Sequence, residues 1–201
     1  MTPSIARLKQ VLLVALAVGV AAPPAALAGG TDTGATAIIR RLAPITPPSV
    51  DGGGTDLEAT SIARRPARVA ATSLANRPQT VLVDHSRSLD FDIFFAFDSA
   101  ELDATARAAL TDLGRALAGR ELGPYAFLVA GHTDAKGSAG YNLKLSAARA
   151  AAVAQYLTDA FPIEPERLYT VGFGASQPRV PAAPLDGRNR RVEVILVAGT
   201  E

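Results

Sequence analysis

Cysteine and tryptophan are absent from the 201 residues, and methionine occurs once. Without a thiol the chain can form no disulfide, zinc–thiolate site or iron–sulfur cluster, and it has no cysteine nucleophile. It also lacks the cysteine to which a lipoprotein attaches its lipid. Neither sign of charge dominates: Lys and Arg total 20, Asp and Glu total 19, and the formal net charge is +1. Nothing here indicates a basic surface for nucleic acid or an acidic disordered tail. Histidine occurs only twice, as His85 and His132, so a metal site would have to be built almost without imidazole. About half of the residues are apolar, enough for one core of ordinary size.

The one long hydrophobic run lies at the N-terminus. "MTPSIARLKQ" carries Arg7 and Lys9 and no acid, "VLLVALAVGV" is apolar, and "AAPPAALA" ends in small residues. This is the pattern of a secretory signal over residues 1–28, cleaved after Ala28. The run is short for a bilayer span, and Pro23 and Pro24 interrupt it. An exported chain with no membrane span after cleavage is expected. Residues 29–84 read as a Pro/Gly-rich linker or tail. "APITPPSVDGGGTD" removes amide donors through its prolines and adds chain entropy through its glycines. Within it, "ATAIIRRLAP" offers one short helix or a docking stripe through Ile38, Ile39 and Leu42, but mobile linker is the preferred reading.

Order is expected over residues 85–201. In "SLDFDIFF", Leu89, Phe91, Ile93 and Phe95 alternate with Asp90, Asp92 and Phe94, the period of a strand with one buried face. Asp103 is placed to cap a helix that puts Ala106, Leu110, Leu113 and Leu117 on one side. "YAFLVAG" is apolar on both faces and reads as a central strand. A loop, a longer helix over 138–160, and the strands "ERLYTVGFG" and "RRVEVILVA" follow. Helices alternating with strands imply an α+β or α/β domain with a sheet covered by helices.

The loop "GHTDAKGSAG" and the helix after it hold the chemistry. A wheel over residues 141–157 gives an apolar stripe of Tyr141, Leu145, Ala148, Ala152 and Tyr156, with Asn142 and Arg149 within it or at its rim. A guanidinium partly removed from water needs an anion or other acceptors. Asp134 pairs with it privately, or the two stand apart, each unpartnered, and clamp a zwitterion between them. In the second arrangement the ammonium meets Asp134 and the carboxylate meets the planar fork of Arg149. Gly131, Gly137 and Gly140 would let the backbone approach a small ligand.

"GHTDAKGSAGYNLKLSAARAAAV" resembles the core motif of the OmpA-like C-terminal domain family. "FAFDSAEL", "RLYTVGFGASQP" and "NRRVEV" match the family's other motifs in the expected order, over about residues 87–198. The resemblance implies a two-layer βαβαββ domain: a mixed four-stranded sheet with helices on one face. It implies a non-catalytic module of the Gram-negative cell envelope, periplasmic and associated with the cell wall and peripherally with the outer membrane. Such a module binds peptidoglycan through the meso-diaminopimelate of the stem peptide, without cofactor or metal. By position, Asp134 matches the ligand-binding aspartate, with Thr133 before it in the same TD motif, and Arg149 matches the carboxylate-binding arginine. Asn142 matches an asparagine near the pocket, and Phe97 and Asp98 fall in the first loop of the site. Arg190 and Gly137 match supporting positions. On this resemblance the clamp is preferred to the private pair.

The chain departs from the family's usual settings. No series of alternating strands precedes residue 85 as an N-terminal β-barrel would require, so the module is expected without its usual anchor. A second reading makes the protein a periplasmic scaffold whose residues 29–84 dock an envelope partner, with wall binding secondary. Hydrolysis by a set drawn from His132, Asp134 and Ser138 or Ser146 is disfavoured. No G-x-S-x-G or H-E-x-x-H motif is present, and two metal ligands two residues apart lack a third.

Overall fold

The computed structural model describes residues 33–44, 66–75, 77–93, 95–96 and 98–201. The signal expected at 1–28, and most of the proline- and glycine-rich stretch, lie outside the described residues. The element order is α1 (Thr33–Leu42), β1 (Ala67–Ser73), β2 (Pro78–Phe91), α2 (Ala104–Ala118), β3 (Phe127–His132), α3 (Ala139–Ala160), β4 (Leu168–Gly174) and β5 (Arg191–Thr200). The sheet runs β1-β2-β5-β3-β4. β3 and β4 are parallel and the other neighbours antiparallel, so the sheet is mixed and the fold is α+β. Among the described residues no helix is long and apolar enough to cross a membrane.

The sheet has five strands where four were expected, because residues 67–73 and 78–84, read from the sequence as tail, are strand. The physical reason lies in β3. Every residue of Phe127–His132 is buried, so both faces of the sheet need a cover. On one face Phe127, Val129, Leu168, Val192 and Val194 pack under the helices, against Leu110, Leu113, Val153 and Leu157. On the other, Leu128, Ala130, Tyr169 and Ile195 meet Ala71, Val81 and Val83 of the β1–β2 hairpin. The hairpin curls across this underside until Thr72 and Ser73 pair with Thr170 and Tyr169 of β4. "ATAIIRRLAP" is likewise not a mobile linker. It forms most of α1, whose Ala35, Ile38 and Leu42 are buried at helical spacing in the core that α2 shares.

α2 starts where expected: Asp103 accepts the Ala106 amide at 2.7 Å, and Ala106, Leu110, Leu113 and Leu117 are all buried. α3 turns a different face inward. Its buried residues are Asn142, Ser146, Arg149, Ala150, Val153, Ala154 and Leu157, while Tyr141 is exposed and Leu145 and Tyr156 are half-buried. Around Ser146 and Ala147 the helix lies too close to the sheet for any side chain on the facing strand residues. Gly131 and Gly172 stand opposite each other on β3 and β4. A β-carbon on Gly131 would come within 2.0 Å of the Ser146 carbonyl oxygen, and one on Gly172 within 2.4 Å of the Ala147 nitrogen. Gly131 therefore serves the seating of α3, not the approach of a ligand. Ser146 fixes the contact: its hydroxyl donates to Leu143 O and accepts the Gly174 amide, both at 2.9 Å.

Candidate functional site

Seating α3 in this way buries Asn142 and Arg149 at the helix's N-terminal half, beside the loop that leaves β3. Ser138 caps the helix by accepting the Tyr141 amide. Gly137, at φ 96°, makes the turn before it in a backbone region that favours glycine. The loop is fastened from both sides. The Thr133 amide donates to Gly174 O at 2.9 Å, and the Ala135 amide to Pro184 O at 2.9 Å. Asn142 Nδ2 donates to Asp134 O at 3.3 Å.

Asp134 and Arg149 do not pair with each other. Asp134 Oδ1 accepts the Lys136 amide at 3.1 Å, and Oδ2 accepts from Arg190 Nη1 at 2.6 Å. Asp134 is thus not unpartnered, which corrects the expectation that both charges stand free: β5 begins so close to the loop that Arg190 reaches across. Arg149 is only 7% exposed. Its Nε donates to Ser99 O at 3.0 Å, its Nη2 to Ala96 O at 3.4 Å, and its guanidinium lies over the Phe95 ring at 4.8 Å. Among the described residues no carboxylate pairs with it. Burial is the main cause that pushes its pKa down; Tyr141, Asp134 and Asp98 oppose it, and Arg190 adds to it.

These groups open onto a cleft of about 470 Å³, which Thr133, Asp134, Asn142 and Arg149 line together with Asp98 and Arg190. The expected residues Thr133, Asp134, Gly137, Asn142, Arg149 and Arg190 are brought to one place. Phe97 lies outside the described residues. Asp98 sits at φ 51° and its Oδ1 accepts from Tyr141 Oη at 2.6 Å, which ties the first loop to α3. Burial and the adjacent Asp98 carboxylate both oppose the phenolate; the hydrogen bond to Asp98 is the largest cause holding Tyr141 above its usual pKa.

Sequence reasoning missed the carbonyls of Ala96 and Ser99, which carry no side-chain signal. It assigned Phe95 to a buried strand face and Tyr141 to an apolar stripe, although their pattern of ring and charge could have marked a guanidinium stack and a loop tie. Asn189 was also missed. It is fully buried and organises the loop before β5 by accepting the Val180 amide and donating to Ala183 O and Pro184 O.

The profile of the OmpA family matches residues 94–191, the stretch that supplies every group of this cleft. Residues 94–191 are an OmpA family domain. Outer membrane protein A of Bordetella avium is 38% identical over 108 residues, covering 53% of this chain and 54% of that protein. The peptidoglycan-associated lipoprotein of Mesorhizobium japonicum is 36% identical over 86 residues, 43% of this chain and 49% of that protein. The chain thus spans about half the length of these relatives. A solved OmpA-like domain from Francisella tularensis is 25% identical and covers 76% of this chain and 98% of that one, with a TM-score of 0.47.

The hydroxyls once considered for catalysis in this OmpA family domain are engaged elsewhere: Ser138 caps α3 and Ser146 joins it to the sheet. His132 is buried with Nε2 3.4 Å from Glu193 Oε2, and His85 Nδ1 approaches the other carboxylate oxygen at 3.9 Å. Burial alone would raise the pKa of Glu193, but the polar groups of His132, His85 and Ser88 beside it outweigh that and hold the carboxyl well below the usual range. A depressed folded-state pKa contributes stability above the unfolded value, and that stability is lost as pH falls through the folded one. Wild-type domain should therefore lose stability between about pH 5 and pH 3. Glu193→Gln should show a flatter decline of its urea midpoint over that range. Parallel curves for the two proteins would show that Glu193 does not carry this linkage.

Proposed function

We propose that the domain binds peptidoglycan non-covalently in the periplasm through the diaminopimelate side chain of the stem peptide, and that it is not an enzyme. The observation that carries this reading is Arg149: a buried guanidinium without a paired carboxylate, opening on the same cleft as Asp134. Nε and Nη2 are held by main-chain carbonyls, so Nη1 and the outer edge of the fork are left for a ligand carboxylate. The ligand ammonium goes to Asp134, where it shares or replaces Arg190. Relatives named for peptidoglycan, such as the lipoprotein of Mesorhizobium japonicum, support the same assignment. Attachment of the cell wall to the outer membrane or an envelope complex follows as its cellular role.

The test is an NMR titration of the domain with two stem tetrapeptides, one with diaminopimelate in the third position and one with lysine there. The diaminopimelate side chain ends in both ammonium and carboxylate, the lysine side chain in ammonium alone. Saturable shifts at residues 95–99, 133–137 and 142–149 are expected with the first peptide and not with the second. Equal response to both would remove the carboxylate from Arg149.

A further inference from the structure

A second pocket, of about 260 Å³, also reaches Arg149 but is not lined by Asp98 or Tyr141. It shares Phe95, Arg149 and Arg190 with the cleft, and it is otherwise enclosed by residues from the end of β2, the end of β3 and the turn before β5. Its charge is one-sided. Arg149, Arg188, Arg190 and Arg191 face a single lining carboxylate, Asp92. Three of these arginines pair with acids beyond the wall: Arg188 with Asp186 at 2.9 Å, Arg190 with Asp134 at 2.6 Å, and Arg191 with Asp90 at 2.7 Å. Asp92 itself faces Arg179 at 3.4 Å. Of these four arginines Arg149 alone has no such partner among the described residues, and Arg190 further disfavours its charge.

A second observation concerns a residue of the same lining. His132 lines the pocket and is 1% exposed, yet neither of its ring nitrogens makes a hydrogen bond. Nε2 stands near Glu193, so Nδ1 is the buried polar atom left without an acceptor or donor. Such atoms are rare in a folded protein and mark a place where a ligand or water completes the bonding.

We propose that this pocket is a second carboxylate subsite, which takes the α-carboxylate of the same diaminopimelate, three methylene groups from the zwitterion held in the cleft. The inference rests on the peptidoglycan reading and deepens it: Arg149 would stand between two anionic groups of one ligand, one on each side. The volume, several times that of a water molecule, accommodates a carboxylate with its α-carbon. The ligand that this assignment selects is a stem peptide that ends at diaminopimelate, with its α-carboxylate free.

Calorimetric titration with a stem tripeptide ending in diaminopimelate, and with its C-terminal amide, tests the proposal. Wild-type domain is expected to bind the free acid about tenfold more tightly than the amide. Arg188→Gln keeps the 188 amide on Asp186 and should weaken the acid by about fivefold without moving the amide. Asp92→Asn removes the pocket's own carboxylate and should strengthen the acid alone. Equal wild-type affinities for the two peptides, or an Arg188→Gln effect common to both, would overturn the subsite while leaving the cleft intact. Binding of neither peptide would overturn the reading of the cleft and the subsite with it.

Discussion

Asp134→Asn should bind isolated peptidoglycan sacculi about ten to a hundredfold more weakly than wild type, the range expected for losing a hydrogen bond to a charged group. Asparagine keeps an oxygen for the Lys136 amide and fills the same volume, so the loop between β3 and α3 should hold its shape. Arg149→Lys should lose at least as much. It retains the positive charge, yet an ammonium cannot donate to Ser99 O and Ala96 O in one plane, stack on Phe95 and still present an edge to a carboxylate. Co-sedimentation read against an unchanged far-UV spectrum and thermal midpoint checks both variants. Wild-type sedimentation by Asp134→Asn and Arg149→Lys together would move the ligand out of this cleft.

Gly131→Ala should be among the most destabilising single changes in the domain, although it adds one methyl group. That carbon would meet the main-chain oxygen of Ser146, which is fixed by the helix and cannot rotate away. Relief requires lifting α3 from the sheet. That separates Ser146 from the Gly174 amide and moves Asn142 and Arg149 with it. Overpacking of this kind costs about 1–3 kcal/mol, and about 3 °C of thermal midpoint is lost per kcal/mol in a domain of this size. Gly140→Ala, in the same helix with open space around it, should instead be neutral or stabilising. If the two substitutions shift the melting temperature alike, close approach is not what keeps Gly131 a glycine.

The contrast between α2 and α3 shows what was legible. In α2 large and small residues alternate with helical period, and Leu110, Leu113 and Leu117 mark the buried face. α3 is rich in alanine, so size carries little contrast, and a wheel drawn through its bulky residues selects the rim. Its inward face mixes small residues, such as Ser146 and Ala150, with larger ones, such as Val153 and Leu157. Asn142 and Arg149 are buried there and line the cleft. Asn142 and Arg149 were visible as amide and charged side chains in an apolar stripe, Asp134 as an acid in the glycine-rich loop that feeds the helix, and Arg190 only through the family resemblance. What holds Arg149 was not visible, since two of its partners are main-chain carbonyls. The β1–β2 hairpin was obscured for another reason: "ARVAATS" is mild in hydropathy, and the stronger run "TVLVD" follows a proline and arginine that read as linker. The strand expected at 88–95 ends at Phe91, and its upstream half carries the side chains that close the underside of the sheet.

That hairpin bears on how wall attachment is measured. A fragment cut to the matched stretch, or to residue 85 onward, would leave Leu128, Ala130, Tyr169 and Ile195 facing water. Molecules bared in this way would adhere to one another and pellet without any cell wall in the tube, which a centrifugation assay scores as retention. Only a fragment that begins upstream of Ala67 separates true capture from clumping.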